Sequence, residues 1–380
     1  MVVKVLEQSS VAKSPYFAAT ERHGATAYTV LNRMFMPYRY GDPIEEYWAL
    51  VNDATLWDVA AERQVEIAGP DATAFVDLIV PRNLEKCGVG QCRYVVVTDE
   101  QGQIINDPVL NRLDVDRYWL SAADSDLILW TKGVAAFAGM RVEIHEPDVA
   151  PIQIQGGKSC EILCALFGDW VRQLGYYRLQ EAELDGMPVV VSRTGWSGDL
   201  GYEIYLRDTS RALALWDRVV AAGAPFKLRV TGPNTIRRVE AGIVAMRSDF
   251  PADATPYHLG MERLVDLDKS VDFIGKAALR RRAEEGVPWK LVGLVLEPGP
   301  ADTNAAAYGR QAVSRNGESV GQTSVIVFSP RLARAIGYAR VDSGCAALGT
   351  ELDIHGPDGP ARARVAERLF FDPSKSTARR

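Results

Sequence analysis

The sequence predicts an α+β protein, two successive strand-and-helix units with mixed or antiparallel sheets followed by a small all-β unit. Three observations carry this. Stretches of alternating and of helical hydrophobic periodicity follow one another twice before about residue 285. Beyond about Pro288 only short apolar runs remain, separated by Gly and Pro. No internal repeat of roughly 20–50 residues argues for a solenoid or a propeller.

In the first unit, residues 38–43 read as a loop carrying Tyr38, Tyr40 and Gly41-Asp42-Pro43, and 44–52 (IEEYWALVN) has helical periodicity. Residues 64–67 alternate polar and apolar, and Gly69-Pro70-Asp71 ends that strand in a turn. Residues 72–80 read as a helix lying on the sheet. Residues 94–98 and 104–110 flank Asp99-Glu100-Gln101-Gly102, a hairpin pattern. A strand at 118–122 and a helix at 125–138 complete the unit. The second unit begins near Val149, with strands at 152–155, 189–192 and 202–206 and helices at 159–167, 210–222 and 234–246. Strands at 291–296, 323–328, 335–340 and 361–365 read as a small β-barrel or sandwich. The expected domains are therefore 1–287, 288–373 and a flexible, polar and basic tail at 374–380.

A chain of 380 residues, 47% hydrophobic and 24% charged, is long enough for two or three domains. Its 43 basic and 49 acidic residues leave a net charge of −6, which argues against a nucleic-acid partner and favours a small molecule. The five cysteines fit no disulfide framework and read as small buried hydrophobes in a reducing, cytoplasmic setting. The opening MVVKVLEQ lacks the pattern of a signal peptide, and no uncharged stretch approaches the ~20 residues that span a bilayer. His23, His145, His258 and His355 are scattered, so no metal site is expected. Residues 155–159 (QGGKS) resemble the end of a phosphate loop, but Ile152 stands where the first glycine belongs, and an ordinary strand-to-helix turn explains them. A monomer or homodimer is expected.

The richest constellation is RTGWSGDLGYEIY, residues 193–205. Gly195 and the 198–201 turn bring Trp196 toward Tyr202 and Glu203. An indole face suits stacking on a flat heterocycle, and a carboxylate can accept paired N–H bonds from an amino-pyrimidinone edge. The plain alternative is a hairpin with an exposed Glu. A second feature is Asn106-Asp107-Pro108, where a carboxylate at a strand end can be a general base, an orienter or a turn cap.

These residues resemble the aminomethyltransferase, or glycine-cleavage T-protein, superfamily. GWSGDLGYEI is similar to its Gly-aromatic-Thr/Ser-Gly-x-x-Gly-Tyr-Glu-Ile signature. In the family's order follow MPYRYG (36–41), LWDV (56–59), GQIINDP (102–108), RVEAG (238–242) and DFIGK (272–276), with LVGL (291–294) and Ser329-Pro330 in the terminal unit. Six collinear matches over about residues 30–345 are far more specific than one lone motif. The resemblance implies a three-lobed fold, two intertwined α+β lobes around a central folate pocket plus a C-terminal β-barrel, and tetrahydrofolate as cofactor. It implies that Glu203 holds the pterin, with Trp196, Tyr202, Tyr94 and Arg238 around it.

The T-protein's catalytic Asp is replaced by Asn106, followed by Asp107, and Asn234 stands where it carries an Arg. Both changes, with residues 57–72, 91–109, 146–156 and 233–242, look closer to the dimethylsulfoniopropionate demethylase branch. That resemblance implies methyl transfer from a small sulfonium donor to N5 of tetrahydrofolate. The leaving group is a neutral thioether, so positioning rather than strong base would supply the rate. Asn106 and Asp107 would orient the reactants, and Tyr38, Trp57 or Trp196 would hold the cation by cation–π attraction. The alternatives are demethylation of a methylated amine or a methoxylated aromatic, aminomethyl transfer, and folate binding without catalysis.

Overall fold

The computed structural model describes residues 10–297, 310–356 and 359–380; the reading of the first eight residues lies outside them. Four sheets organise the chain, with the two-stranded hairpin Val97–Thr98 and Ile104–Asn106. A short N-terminal sheet orders Ala12–Lys13, Met34–Arg39 and Ala27–Leu31. An antiparallel sheet runs Glu143–His145, Gln64–Ala68, Arg117–Ser121, Val109–Asp114 and Gln91–Tyr94. A six-stranded sheet runs Leu179–Leu184, Met187–Ser192, Gly201–Leu206, Ala150–Gln155, Ala54–Asp58 and Leu228–Val230. All its neighbours are antiparallel except the last pair. Ala54–Asp58 precedes the first unit's sheet in sequence yet completes the second unit's sheet, so the two units interlace.

The terminal strands close. Trp289–Leu296 pairs with both Arg334–Asp342 and Gly359–Ala366, giving a six-stranded barrel rather than a sandwich. Its core is Leu294, Val313, Ala339, Val341, Leu352 and Ile354, each nearly or wholly buried. Closure removes the free edges that an open sheet of short strands would expose.

The predicted helix at 234–246 is shorter, Thr235–Glu240. Asn234 caps it by accepting the Arg237 N–H at 3.0 Å. It stops because Gly242 takes φ +72° with the Arg368 carbonyl 3.2 Å from where a Cβ would stand. This one helix joins the parts of the molecule. The buried Arg237 guanidinium donates from Nε to Asp199 at 2.6 Å. The Glu240 carboxylate accepts from Tyr47 Oη at 2.8 Å and from Ser329 Oγ, on a barrel strand, at 2.5 Å. The DFIGK segment docks on the 99–102 hairpin. Gly275 has φ +89°, and a Cβ there would collide with the Asp99 carbonyl.

The segment 374–380, expected as a tail, carries a short helical turn. Asp372 accepts from the Ser376 and Thr377 amides at 2.9 and 2.7 Å, starting the turn Ser376–Arg379, and Ala378 is buried. Local side-chain bonds hold this segment, which its polar composition does not reveal. The 155–159 segment is the plain turn that its missing glycine suggested. Gly156 lets the backbone pass the Leu50 and Asp53 carbonyls. All five cysteines are free, with Cys87, Cys92 and Cys345 buried. Among the described residues no helix is long and apolar enough to cross a membrane.

Candidate active site

A cavity of about 1010 Å³ opens between the two interlaced sheets, the helix Thr235–Glu240 and the segments after it. That is room for a folate-sized molecule and a small second reactant. Four acids line it, Glu62, Asp107, Asp124 and Asp372, and a fifth, Glu203, lies close enough to raise the Glu62 pKa. Burial raises the Glu62 carboxyl first, and the neighbouring charges of Glu203 and Asp107 raise it further. Burial lifts Asp107 to about 7, although the Tyr94 hydroxyl donates to its Oδ2 at 2.8 Å and pulls the other way. Its Oδ1 is buried without a partner. Glu203 is also raised by burial, opposed by a hydrogen bond from Tyr205.

The RTGWSGDLGYEIY segment is pinned by one side chain. Gln155 accepts from Ser197 Oγ at 2.6 Å and donates to the Thr194 carbonyl at 3.3 Å. Its amide fills the space where Gly195 and Gly201 would carry a Cβ. The loop is thereby drawn onto the sheet and Trp196 is held at the cavity wall, backed by Leu50, Trp57 and Val59.

The structure sorts the predicted residues. Tyr38, Tyr94, Trp196, Asp107 and Arg238 all line the cavity. Arg238 is committed to Asp249 at 2.6 Å and lies 5.5 Å from the Trp196 ring centre, so it positions the indole. Glu203 is 3% exposed and is held by Gln153 Nε2 at 3.2 Å. It stands behind the lining beside Glu62. Three residues turn away. Asn106 is buried with its amide saturated: it donates to the Ala123 carbonyl at 3.0 Å and Ser125 Oγ at 2.7 Å and accepts the Ala123 N–H at 3.0 Å. It ties two strand ends together and offers nothing to a ligand. Tyr202 points to the opposite face of its strand from Glu203, into the core with Ile154 and Ile204, because successive side chains alternate. Trp57 is fully buried behind Trp196, its indole N–H donating to Thr231 Oγ1 at 2.9 Å.

Glu62 was missed. The signal was faint: an acid straight after Ala60 and Ala61, four residues past an entirely buried strand. Asp107 also changes the meaning of Asn106. The carboxylate that residue 106 lacks is supplied to the cavity by its neighbour.

The fold and site define a class: two interlaced α+β lobes around a large pocket, followed by a C-terminal barrel. The GCVT N-terminal domain model matches residues 16–269, and the glycine cleavage T-protein C-terminal barrel model matches 290–372. The chain belongs to the glycine cleavage T-protein family. It is 35% identical to the dimethylsulfoniopropionate demethylase DmdA of Ruegeria pomeroyi, over 97% of this chain and all of that one. It is 31% identical to an aminomethyltransferase of Saccharopolyspora erythraea, over 93% and 96% of the two chains. The crystal structure of the glycine cleavage system aminomethyltransferase T from Bartonella henselae superposes with a TM-score of 0.85 over 96% of this chain and 99% of that one. At 22% identity this last likeness speaks for the fold. Family membership makes the chain a tetrahydrofolate-dependent transferase. The cavity fits that cofactor, with an indole wall, paired acids and an unpartnered buried carboxylate oxygen.

Proposed function

We propose that this protein is a demethylase that moves a methyl group from a small sulfonium, dimethylsulfoniopropionate or a near relative, to tetrahydrofolate. The observation that carries this is the gathering of Glu62, Asp107 and Glu203 beside an aromatic-walled cavity, while the nearby Arg238 is occupied by Asp249. An acidic, desolvated wall with Tyr38 and Trp196 at hand suits a cation that carries a reactive methyl, because a bound cation favours the charged form of these carboxyls. The likeness to the Ruegeria demethylase along the whole chain supports the same reading.

Each side chain then has a task. Trp196 offers a flat face for the pterin, and Glu62, backed by Glu203, forms the acidic edge that meets its N–H donors. Tetrahydrofolate, when bound, supplies a nucleophilic amine able to accept the methyl. Tyr94 holds Asp107 by one oxygen and leaves the other buried and without a partner. Asp107 as carboxylate attracts the sulfonium; the departing thioether is neutral and needs no proton. Water exclusion and alignment supply the rest of the rate.

Aminomethyl transfer is the second reading, favoured by one observation: an acid lifted to about 7 can carry a proton near neutrality. One experiment separates the two. The protein with tetrahydrofolate is offered dimethylsulfoniopropionate, glycine betaine, a methoxylated aromatic and an aminomethyl-lipoyl donor. Formation of 5-methyl-tetrahydrofolate from the sulfonium alone is expected. Methylene-tetrahydrofolate and ammonia from the lipoyl donor would replace the proposal by the second reading.

A further inference from the structure

Outside the cavity, two thiols share one helix. Cys160 and Cys164 stand four residues apart on Ser159–Phe167, hence on one face, and both are half-buried. The other three cysteines are buried. Arg172, in the short turn Asp169–Gln173 after the helix, donates from Nη1 to Cys160 Sγ at 3.9 Å, and its Nε also pairs with Asp169 at 3.5 Å. The two sulfurs, Cys164 first, raise the Arg172 pKa, so the guanidinium faces both. The proposed methyl transfer makes no use of this cluster.

The two thiols are not equivalent. Cys160 is the second residue of its helix, where unpaired backbone amides favour negative charge, and it has the guanidinium beside it. Burial pushes the Cys164 thiol up to about 11, and Cys160 next to it adds to the rise, so Cys164 keeps its proton. A reachable sulfur in a cationic setting, with a protonated thiol one turn away, is the arrangement of an oxidisable pair. The backbone around them can give. Residues four apart on a helix are ~6 Å apart along its axis, within the Cα range of a disulfide, but their Cβ atoms must close to about 4 Å. The first turn must therefore tighten. Its start has no side-chain cap, and Gly156 and Gly157 precede it, with open space where Gly157 would carry a Cβ.

From this placement we infer that Cys160 and Cys164 are a modification site for hydrogen peroxide, closing an intrahelical disulfide, and that closure loosens the folate cavity. In the first step the Cys160 sulfur, as thiolate, attacks one peroxide oxygen. The O–O bond breaks, and the departing hydroxide takes a proton and leaves as water. In the second step Cys164 gives up its proton and attacks the sulfenic sulfur of Cys160. The S–S bond forms, the S–O bond breaks and a second water leaves. Two thiols are oxidised to one disulfide, and one peroxide is reduced to two waters. The path to the cavity is short. Ser159 Oγ, in the turn that must tighten, donates to the Leu200 carbonyl at 3.3 Å, and the Tyr202 hydroxyl interacts with Cys160. Between Leu200 and Tyr202 lies Gly201, against which the Gln155 amide is lodged, and Gln155 holds the loop that carries Trp196. This second part of the inference rests on the folate reading.

The test treats the reduced full chain with hydrogen peroxide and counts thiols after denaturation. The five are expected to fall by two, and the tryptic peptide 159–172 to be lighter by two hydrogens and restored by dithiothreitol. Cys160→Ser should keep its remaining thiols, Cys164→Ser should stop at a sulfenic acid captured by dimedone, and Arg172→Gln should slow bridging several-fold. No loss of thiols, or a bridge between other cysteines, overturns the site. Tetrahydrofolate is then titrated against the reduced and the oxidised protein. The oxidised protein should bind it several-fold more weakly, and peroxide should leave the affinity of Cys160→Ser unchanged. Equal affinity of the two forms overturns the coupling to the cavity and leaves the dithiol site standing. If the reduced protein binds no folate, the folate reading and the coupling fall together, and the thiol count alone decides the site.

Discussion

At the scale of single residues, Asp107 gives the sharpest expectation. A sulfonium has no proton to lose, so any pH dependence of its binding belongs to the protein. Burial raises Asp107 to about 7, so its charge appears as pH rises through that value. The donor KM should therefore fall between about pH 6 and about pH 8 in initial-rate measurements, and Asp107→Asn should flatten the profile. The same shift has the opposite sense for folding. A carboxyl raised in the folded state prefers its proton there, so its contribution to stability declines as pH climbs from its ordinary value toward about 7. Glu203→Gln should weaken folate binding by roughly 1–3 kcal/mol in a fluorescence titration, the loss expected for a charged hydrogen-bond pair. Unchanged affinity would remove Glu203 from the pterin. Trp196 and Asp107 were legible in the sequence because they stand in loops and strand ends rich in turn formers. Glu62 was not, since a lone acid after two alanines carries no pattern. Asn106 and Trp57 misled for a common reason: polar or amphipathic side chains beside a site often serve its scaffold, and only coordinates show whose hydrogen bonds they satisfy.

At the scale of elements, periodicity worked where the sequence itself alternates or repeats. The helix Ser159–Phe167 and the strand Gly201–Leu206 lie at or within a residue of where their patterns put them, although that strand is wholly buried. It failed for Ala54–Asp58, whose residues ATLWD do not alternate polar and apolar. The long helix expected at 234–246 failed for another reason. Its apolar positions continue past Gly242, but the backbone turns there against residues 368 and 369, and Ala241 bridges Leu369. Two substitutions probe these devices. Asn234→Ala removes the cap of Thr235–Glu240 and should cost about 1 kcal/mol in urea unfolding. Gly275→Ala forces a side chain against the Asp99 carbonyl at a positive φ and should cost more than that, with a lower melting temperature as the readout.

At the scale of the whole molecule, three lobes meet on one short helix. Glu240 receives Tyr47 from the first part of the chain and Ser329 from the barrel, and Arg237 next to it reaches Asp199. Removing the shared carboxylate by Glu240→Ala leaves the Tyr47 and Ser329 hydroxyls without their acceptor, a change that costs about 1–3 kcal/mol. Because the junction is shared, lobes and barrel of the parent protein should unfold in one calorimetric transition, and the variant should separate them into two. A parent already showing two transitions would contradict the role given to this helix. The barrel was readable as a change in composition, yet its closure was not, since pairing between the first and last strands is a long-range fact.

The Gln155 amide, lodged where Gly195 and Gly201 lack side chains, has an evolutionary consequence. The three positions form one unit of inheritance. A mutation giving residue 195 or 201 a side chain is barred while the glutamine stays. Shortening the glutamine first empties the space but strips Ser197 of its acceptor and frees the loop that carries the indole. Either first step is harmful, so lineages should hold all three or exchange them together.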